Sequence, residues 1–289
     1  MSEGIVADFV GQFHTASIAG PEPVTGRILL SKQRLVLAHD GGKTTIPLSA
    51  ISDINVGTVP PSMREFFSDT ISLAYSIDDD REIAVIESGG TNVERFKTVL
   101  FKTLLEGQTV KIKHPAKVGG RVTNADVHNA RLALASGVLR FRGRAGGFSI
   151  DLSNVTDFAR ETRELAGTDR PTIAVTHMDG RTAKTTLVTL PNARKLNLLA
   201  RYLRLEYESV MKDAAELSVA PEETEILVSI YSAGGNVALN DLVTGDVASM
   251  QVVLDALREK GLIADQGSGL VLTPKGQVVV TERVESVNT

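Results

Sequence analysis

One internal repeat constrains this chain more than any other feature. The segment Gly41-Gly42-Lys43-Thr44-Thr45-Ile46-Pro47-Leu48-Ser49-Ala50-Ile51-Ser52-Asp53-Ile54 has an echo downstream. The echo is Gly146-Gly147-Phe148-Ser149-Ile150-Asp151-Leu152-Ser153-Asn154-Val155-Thr156-Asp157-Phe158. Both read as a Gly-Gly turn, Ile-x-Leu-Ser, two residues, then x-Asp-apolar, at an offset of 104 or 105 residues. Solenoid units repeat every 20–50 residues or so. A period of domain size predicts instead two copies of one domain, and 289 residues leave room for a third part.

Both copies carry the same local signals. Arg27-Ile28-Leu29-Leu30 and Arg34-Leu35-Val36-Leu37 correspond to Arg131-Leu132-Ala133-Leu134 and Val138-Leu139-Arg140-Phe141-Arg142. Apolar residues at period two, bounded by Gly and Asp, predict antiparallel strands. Asp40-Gly41-Gly42 and Ala145-Gly146-Gly147 suit hairpin turns, because glycine takes positive φ without a Cβ clash. Further strand pairs are expected at Thr70–Ile77 with Arg81–Glu87, and at Pro171–His177 with Arg181–Leu190. Their turns are Asp78-Asp79-Asp80 and Met178-Asp179-Gly180.

Each copy then closes with an amphipathic helix. The first runs from about Asn92 to Leu105, with Val93, Phe96, Val99, Leu100 and Leu104 on one face. The second runs from about Pro191 to Lys212, with Leu196, Leu199, Leu203, Tyr207 and Val210 as its stripe and Pro191 in its first turn. Six or seven short strands plugged by one helix form the pattern of a pleckstrin-homology-like barrel. The expected fold class is therefore α+β, with two such domains in tandem at residues 1–108 and 109–215.

Residues 216–289 change character. Pro221-Glu222-Glu223-Thr224 opens a helix with Ile226, Leu227 and Ile230 inward, stopped by Gly234-Gly235-Asn236. Leu239–Val243 reads as a short second helix and Asp246–Lys260 as a third. Gly261–Ala264 and Gly269–Leu272 flank a polar turn, and Thr273-Pro274 starts a last helix. Three helices and a hairpin predict a winged helix-turn-helix domain.

Charge is segregated along the chain. Net charge is −5 over residues 1–108, +8 over 109–215 and −7 over 216–289. A basic middle between acidic ends points to electrostatic recognition. The third helix of the winged domain offers only Arg258 and Lys260, so counterion release has little to act on and DNA is not the expected partner. Alternation in Leu139–Arg142 puts Arg140 and Arg142 on one strand face. With Arg144, Arg121, Arg131, Lys111 and Lys113 they form a candidate patch for an acidic partner or an anionic lipid surface.

Catalytic chemistry is sparse. The chain has no cysteine, which removes disulfides, thiolate metal sites and Cys nucleophiles. It has no P-loop, H-E-x-x-H, G-x-S-x-G or dinucleotide fingerprint. Ser209-Val210-Met211-Lys212 matches S-x-x-K but falls within a predicted helix, without companion motifs. His14, His39, His114, His128 and His177 lack ligand spacing, and Asp78–Asp80 lacks an EF-hand pattern. Neither an enzyme nor a metal or cofactor site is expected. MSEGIVADFV lacks the layout of a signal peptide and no apolar run is long enough for a membrane span, so a cytoplasmic protein is expected.

The strand unit Gly26–Leu37, the string Ile46-Pro47-Leu48-Ser49-Ala50-Ile51 and the C-terminal winged helix together resemble the archaeal taxis adaptor family CheF. The resemblance covers nearly the whole chain. It implies a non-enzymatic, dimeric adaptor at the cytoplasmic face of the archaellum motor, linking the phosphorylated response regulator CheY to the switch proteins, with CheD and CheC as further partners. On that reading the wing and last helix receive the regulator, through Leu270, Val271, Lys275, Val279, Val280 and Arg283. The patch of Arg121, Arg131, Arg140, Arg142 and Arg144 takes the motor proteins or the dimer partner. The rivals are a winged-helix DNA-binding regulator with sensor barrels and a peripheral lipid-binding protein.

Overall fold

A computed structural model describes residues 4–20, 22–57, 67, 70–77, 80–87, 91–135, 137–144, 146–179, 182–233, 236–238, 247–266 and 269–287. The described part is α+β, with two large antiparallel sheets, a small third sheet and five α-helices.

The first sheet contains β1 (Ile5–His14), β2 (Val24–Ser31), β3 (Arg34–His39), β4 (Gly42–Pro47), β5 (Ile51–Val56), β6 (Thr70–Ile77) and β7 (Asp80–Glu87), in the order β4-β3-β2-β1-β7-β6-β5. Helix α1 (Thr91–Leu105) follows. The second sheet contains β8 (Thr109–Val118), β9 (Arg121–Val122), β10 (Val127–Ala135), β11 (Val138–Gly143), β12 (Gly146–Asp151), β13 (Val155–Glu164), β14 (Asp169–Asp179) and β15 (Thr182–Thr189). Its order, β12-β11-β10-β8-β15-β14-β13, matches that of the first sheet, and β9 is appended to β8.

The repeat is therefore structural. Leu35 pairs with Ile46 as Leu139 pairs with Ile150. The likeness extends to a defect: β5 has a register shift between Ile51 and Asp53, and β13 has one between Val155 and Asp157. Both hairpins turn on a glycine with positive φ, +152° at Gly42 and +107° at Gly146, as the Gly-Gly signals require.

Sequence periodicity missed the strand that holds each sheet together. β1 pairs with β2 along its length and with β7 through Gln12–His14. β8 pairs with β10 through Thr109–Lys113 and with β15 through Lys111–Val118. In β8 His114 and Pro115 break the apolar run between buried Ile112 and Ala116, and in β1 the exposed Val6 and Val10 blur the alternation. The turn at Asp78-Asp79 and the Gly180-Arg181 turn lie outside the described residues.

Helix α2 (Ala193–Ala215) begins later than expected. Asn192 caps it by accepting from the Arg194 and Lys195 N–H groups, and this leaves Pro191 before the helix. α2 joins the two copies. The Arg194 guanidinium donates to the Ser49 carbonyl (2.6 Å) and Lys195 Nζ to the Leu104 carbonyl (2.8 Å). On the other side, the Tyr202 hydroxyl donates to the Ala135 carbonyl (3.2 Å), and Glu206 accepts from the Gly137 N–H (3.1 Å). Phe101 of α1 packs against Tyr202 with ring centroids 5.4 Å apart. One continuous apolar cluster runs through both sheets, α1 and α2.

A second cluster belongs to the C-terminal part. It comprises α3 (Pro221–Ser232), β16 (Asn236–Ala238), α4 (Val247–Glu259), β17 (Ile263–Gln266), β18 (Gly269–Leu272) and α5 (Pro274–Val287). β16 was read as a helix stop; it pairs with β18, giving the order β16-β18-β17. β17 begins two residues later than expected, after the turn at Gly261. The short helix expected at Leu239–Val243 lies outside the described residues. Thr273 accepts from the Gly276 N–H at the start of α5 and donates to the Gly261 carbonyl. Gly276 is needed there for space, because a Cβ would lie 2.0 Å from the Leu262 carbonyl oxygen. α5 also packs on α2, tying this part to the repeat.

Candidate functional site

The expected regulator-binding residues divide between core and surface. Leu270, Val279 and Val280 are 0%, 2% and 1% exposed and belong to the C-terminal core. They are packing residues, not the exposed surface expected of a regulator-binding set. The run is apolar because α5 packs against α3, β18 and α2. Val271 and Lys275 remain partly exposed. The side chain of Arg283 lies outside the described residues.

The cations of α4 and the following turn are already engaged. The Arg258 guanidinium bonds Asp255 and Asp265, each at 2.8 Å. Lys260 Nζ donates to both carboxylate oxygens of Glu223 (2.8 and 2.6 Å) and to the Ser218 carbonyl. Burial raises the Glu223 pKa, but Lys260 and the Ala220 N–H outweigh it and hold the carboxyl below its ordinary value.

The basic strand residues assemble in part. Arg131 and Arg142 are direct cross-strand partners, and Arg140 is next along the same face of β11. Two like charges directly opposite repel; Arg131 bonds the Gly107 carbonyl (2.6 Å). Lys111 is diagonal to Arg131, since it pairs with Asn129. Arg144 is exposed at the end of the same hairpin. Arg121 is elsewhere: it pairs with Val118, at the opposite end of β8 from Lys111. At the rise of a strand the seven intervening steps put it about 23 Å away.

The half-buried His114 and the buried His177 lie near each other in the second sheet, ring centroids 6.0 Å apart. His114 stacks on Phe148 at 3.8 Å and shares a 2.8 Å hydrogen bond with Thr186. Burial, then the neighbouring His177 and Lys184, pull its pKa down to about 4. Burial lowers His177 as well. Among the described residues, no group of three His, Asp or Glu side chains forms a metal site.

One cavity was not foreseen. It encloses about 620 Å³ between the two copies, and Ser52, Asp53, Ser76, Arg81, Arg160, Asn197, Arg201 and Arg204 line it. A second cavity of about 400 Å³ adjoins it, sharing Arg160, Ala200 and Arg204. Five consecutive residues of β13, Thr156 to Arg160, form one wall of the second cavity, and Leu203 and Tyr207 of α2 form the other. Phe158 and Tyr207 meet edge to face at 5.4 Å. Arg201 reaches Asp53 at 3.4 Å and Arg204 pairs with Glu208 at 2.8 Å. The available signal was the repeat itself: Arg160 stands where the first copy has Val56, a charge in place of an aliphatic residue.

The sequence profile of the archaeal chemotaxis signal transduction system protein F family matches residues 5–209, which span both sheets and most of α2. Taxis protein CheF2 of Halobacterium salinarum is 43% identical over 288 residues, covering all of both chains. The chain belongs to the CheF family of archaeal chemotaxis signal-transduction proteins. Taxis protein CheF1 of the same organism is 26% identical over 98% of each chain. The C-terminal part, beyond the matched profile, thus also has a counterpart in both relatives. Among solved structures, an alignment to a chain of the Spt16D Pob3N heterodimer covers 62% of this chain and 87% of that one, at 13% identity and a TM-score of 0.25. No described helix is long and apolar enough to cross a membrane.

Proposed function

We propose that this CheF-family chain is a non-enzymatic adaptor that couples the phosphorylated response regulator CheY to the switch proteins of the archaellum motor at its cytoplasmic face. CheD and CheC are further partners on this reading, and the adaptor works as a homodimer. Each seven-stranded order with its closing helix is a pleckstrin-homology-like unit, at residues 1–108 and 109–215, and residues 216–289 form a winged helix.

The full-length identity of 43% to a taxis protein carries the proposal. Two features support it. The cluster of Arg131, Arg140, Arg142 and Lys111 presents one sign of charge on an open sheet face, suited to an acidic protein surface. Arg258 and Lys260 are held by Asp255, Asp265 and Glu223, which disfavours a DNA-reading winged helix. Within the C-terminal part, Val271 and Lys275 are the partly exposed residues left for the regulator.

The test is titration of the full chain with CheY, with and without a phosphoryl mimic. The mimic is expected to tighten binding at least about fivefold, the lower end of ordinary allosteric coupling. Equal or absent binding overturns the proposal, and gel-shift and liposome assays then separate the DNA and lipid readings.

A further inference from the structure

We propose that the groove between β13 and α2 binds an extended acidic segment of a partner protein, which adds as a strand to the outer edge of β13. The adaptor reading enters only in calling the occupant a partner; the groove is argued from its own geometry.

Two observations carry the proposal. First, β13 is an edge strand of ten residues, paired among the described residues only with β14. Its consecutive residues 156–160 line the second cavity, so the groove meets main chain as well as side chains. An exposed edge presents unpaired N–H and C=O groups, and an added strand satisfies them. The corresponding edge in the first copy, β5, has α2 packed along it.

Second, the groove has an apolar end and a cationic end. Phe158 and Tyr207 lie at the apolar end and offer an anchor site for one hydrophobic side chain. Arg81, Arg160, Arg201 and Arg204 gather at the other, against two lining carboxylates, Asp53 and Asp157. Among the described residues neither Arg81 nor Arg160 has an ion-pair partner. Guanidinium groups favour carboxylates through paired N–H donors, so an acidic segment is the complementary occupant.

The test uses the full chain and a fluorescein-labelled peptide matched to the 10 residues of β13, alternating glutamate with valine around one central leucine. Fluorescence anisotropy reads its binding at moderate salt. We expect saturable binding that falls at least about tenfold in the Arg160→Glu/Arg204→Glu variant and is unchanged in Lys32→Glu/Lys43→Glu, which reverses two exposed lysines of the first copy. Two further peptides carry N-methyl groups on alternate amides, in opposite registers. Strand addition predicts that one register abolishes binding and the other preserves it, because only one set of amides faces β13. Circular dichroism of each variant verifies that it is folded.

Equal binding by both N-methyl registers overturns strand addition. Equal binding by both charge-reversal variants overturns the site. No binding at about 1 mM peptide, or displacement of the peptide by pyrophosphate with unchanged sensitivity to N-methylation in either register, overturns the proposal in favour of a plain anion site. These outcomes are independent of CheY binding, so either proposal can fail alone.

Discussion

β5 and β13 are the same strand in two copies, with the same register shift, and the molecule uses them differently. Ile54 of β5 is fully buried in the shared core, and α2 packs along its strand. Its counterpart Phe158 is only partly buried and faces a cavity. Val56 corresponds to Arg160, and the six residues of β5 correspond to ten in β13. One helix cannot cover two edges equally. α2 packs along β5 of the first copy; in the second it packs on β14, and a cavity lies between it and β13. A duplicated fold thus acquires an asymmetric surface with two substitutions and a longer strand.

The largest expected effect separates the two strands. Ile54→Ala removes fully buried methyl groups beside α2 and should cost about 2–5 kcal/mol. Phe158→Ala truncates a partly exposed ring and should cost clearly less. Urea unfolding followed by circular dichroism compares them, and equal losses would erase the distinction drawn here. Because both sheets share one apolar cluster, Ile54→Ala should also shift a single transition rather than split it.

Acid should weaken the second copy ahead of the first. Its His114 has a folded pKa of about 4 against an ordinary 6.5, so the unfolded chain binds the extra proton between those values. The stabilising effect of the neutral ring is complete above about pH 6.5 and is lost as pH falls toward 4. The strand pairings put Thr15 at the corresponding place in the first copy, and it does not titrate. Hydrogen exchange at pH 5 and pH 7.5 should show loosening centred on β8, β14 and β15. Substituting Phe for His114 should remove that difference.

The smallest effect is expected at the contact between copies. The Arg201–Asp53 pair is long, at 3.4 Å, and partly exposed, so Asp53→Asn should change stability by less than about 1 kcal/mol. The same change removes a carboxylate from the arginine cluster and should strengthen acidic-peptide binding. Thermal unfolding and anisotropy read the two effects on one protein.

Much of this fold was legible because the repeat and the period-two runs agree. β6 was placed at its observed bounds, and α1 and α3 nearly so. β1 and β8 were not legible, because Val6 and Val10 put apolar residues on the exposed face of β1 and His114-Pro115 interrupts the apolar run of β8. Burial was misjudged at Leu270, Val279 and Val280: an apolar helix face looks the same in sequence whether a partner or the chain itself covers it. The groove escaped notice for a related reason. Arg160, Arg201 and Arg204 are far apart in sequence from Arg81, and only the crossing of α2 between the copies brings them together.

Site-resolved amide hydrogen exchange on the free, full-length chain tests the central asymmetry most directly. The account predicts strong protection along β5 and fast exchange at the amides of β13 that do not face β14. Equal protection of the two edges, or faster exchange along β5, would contradict it.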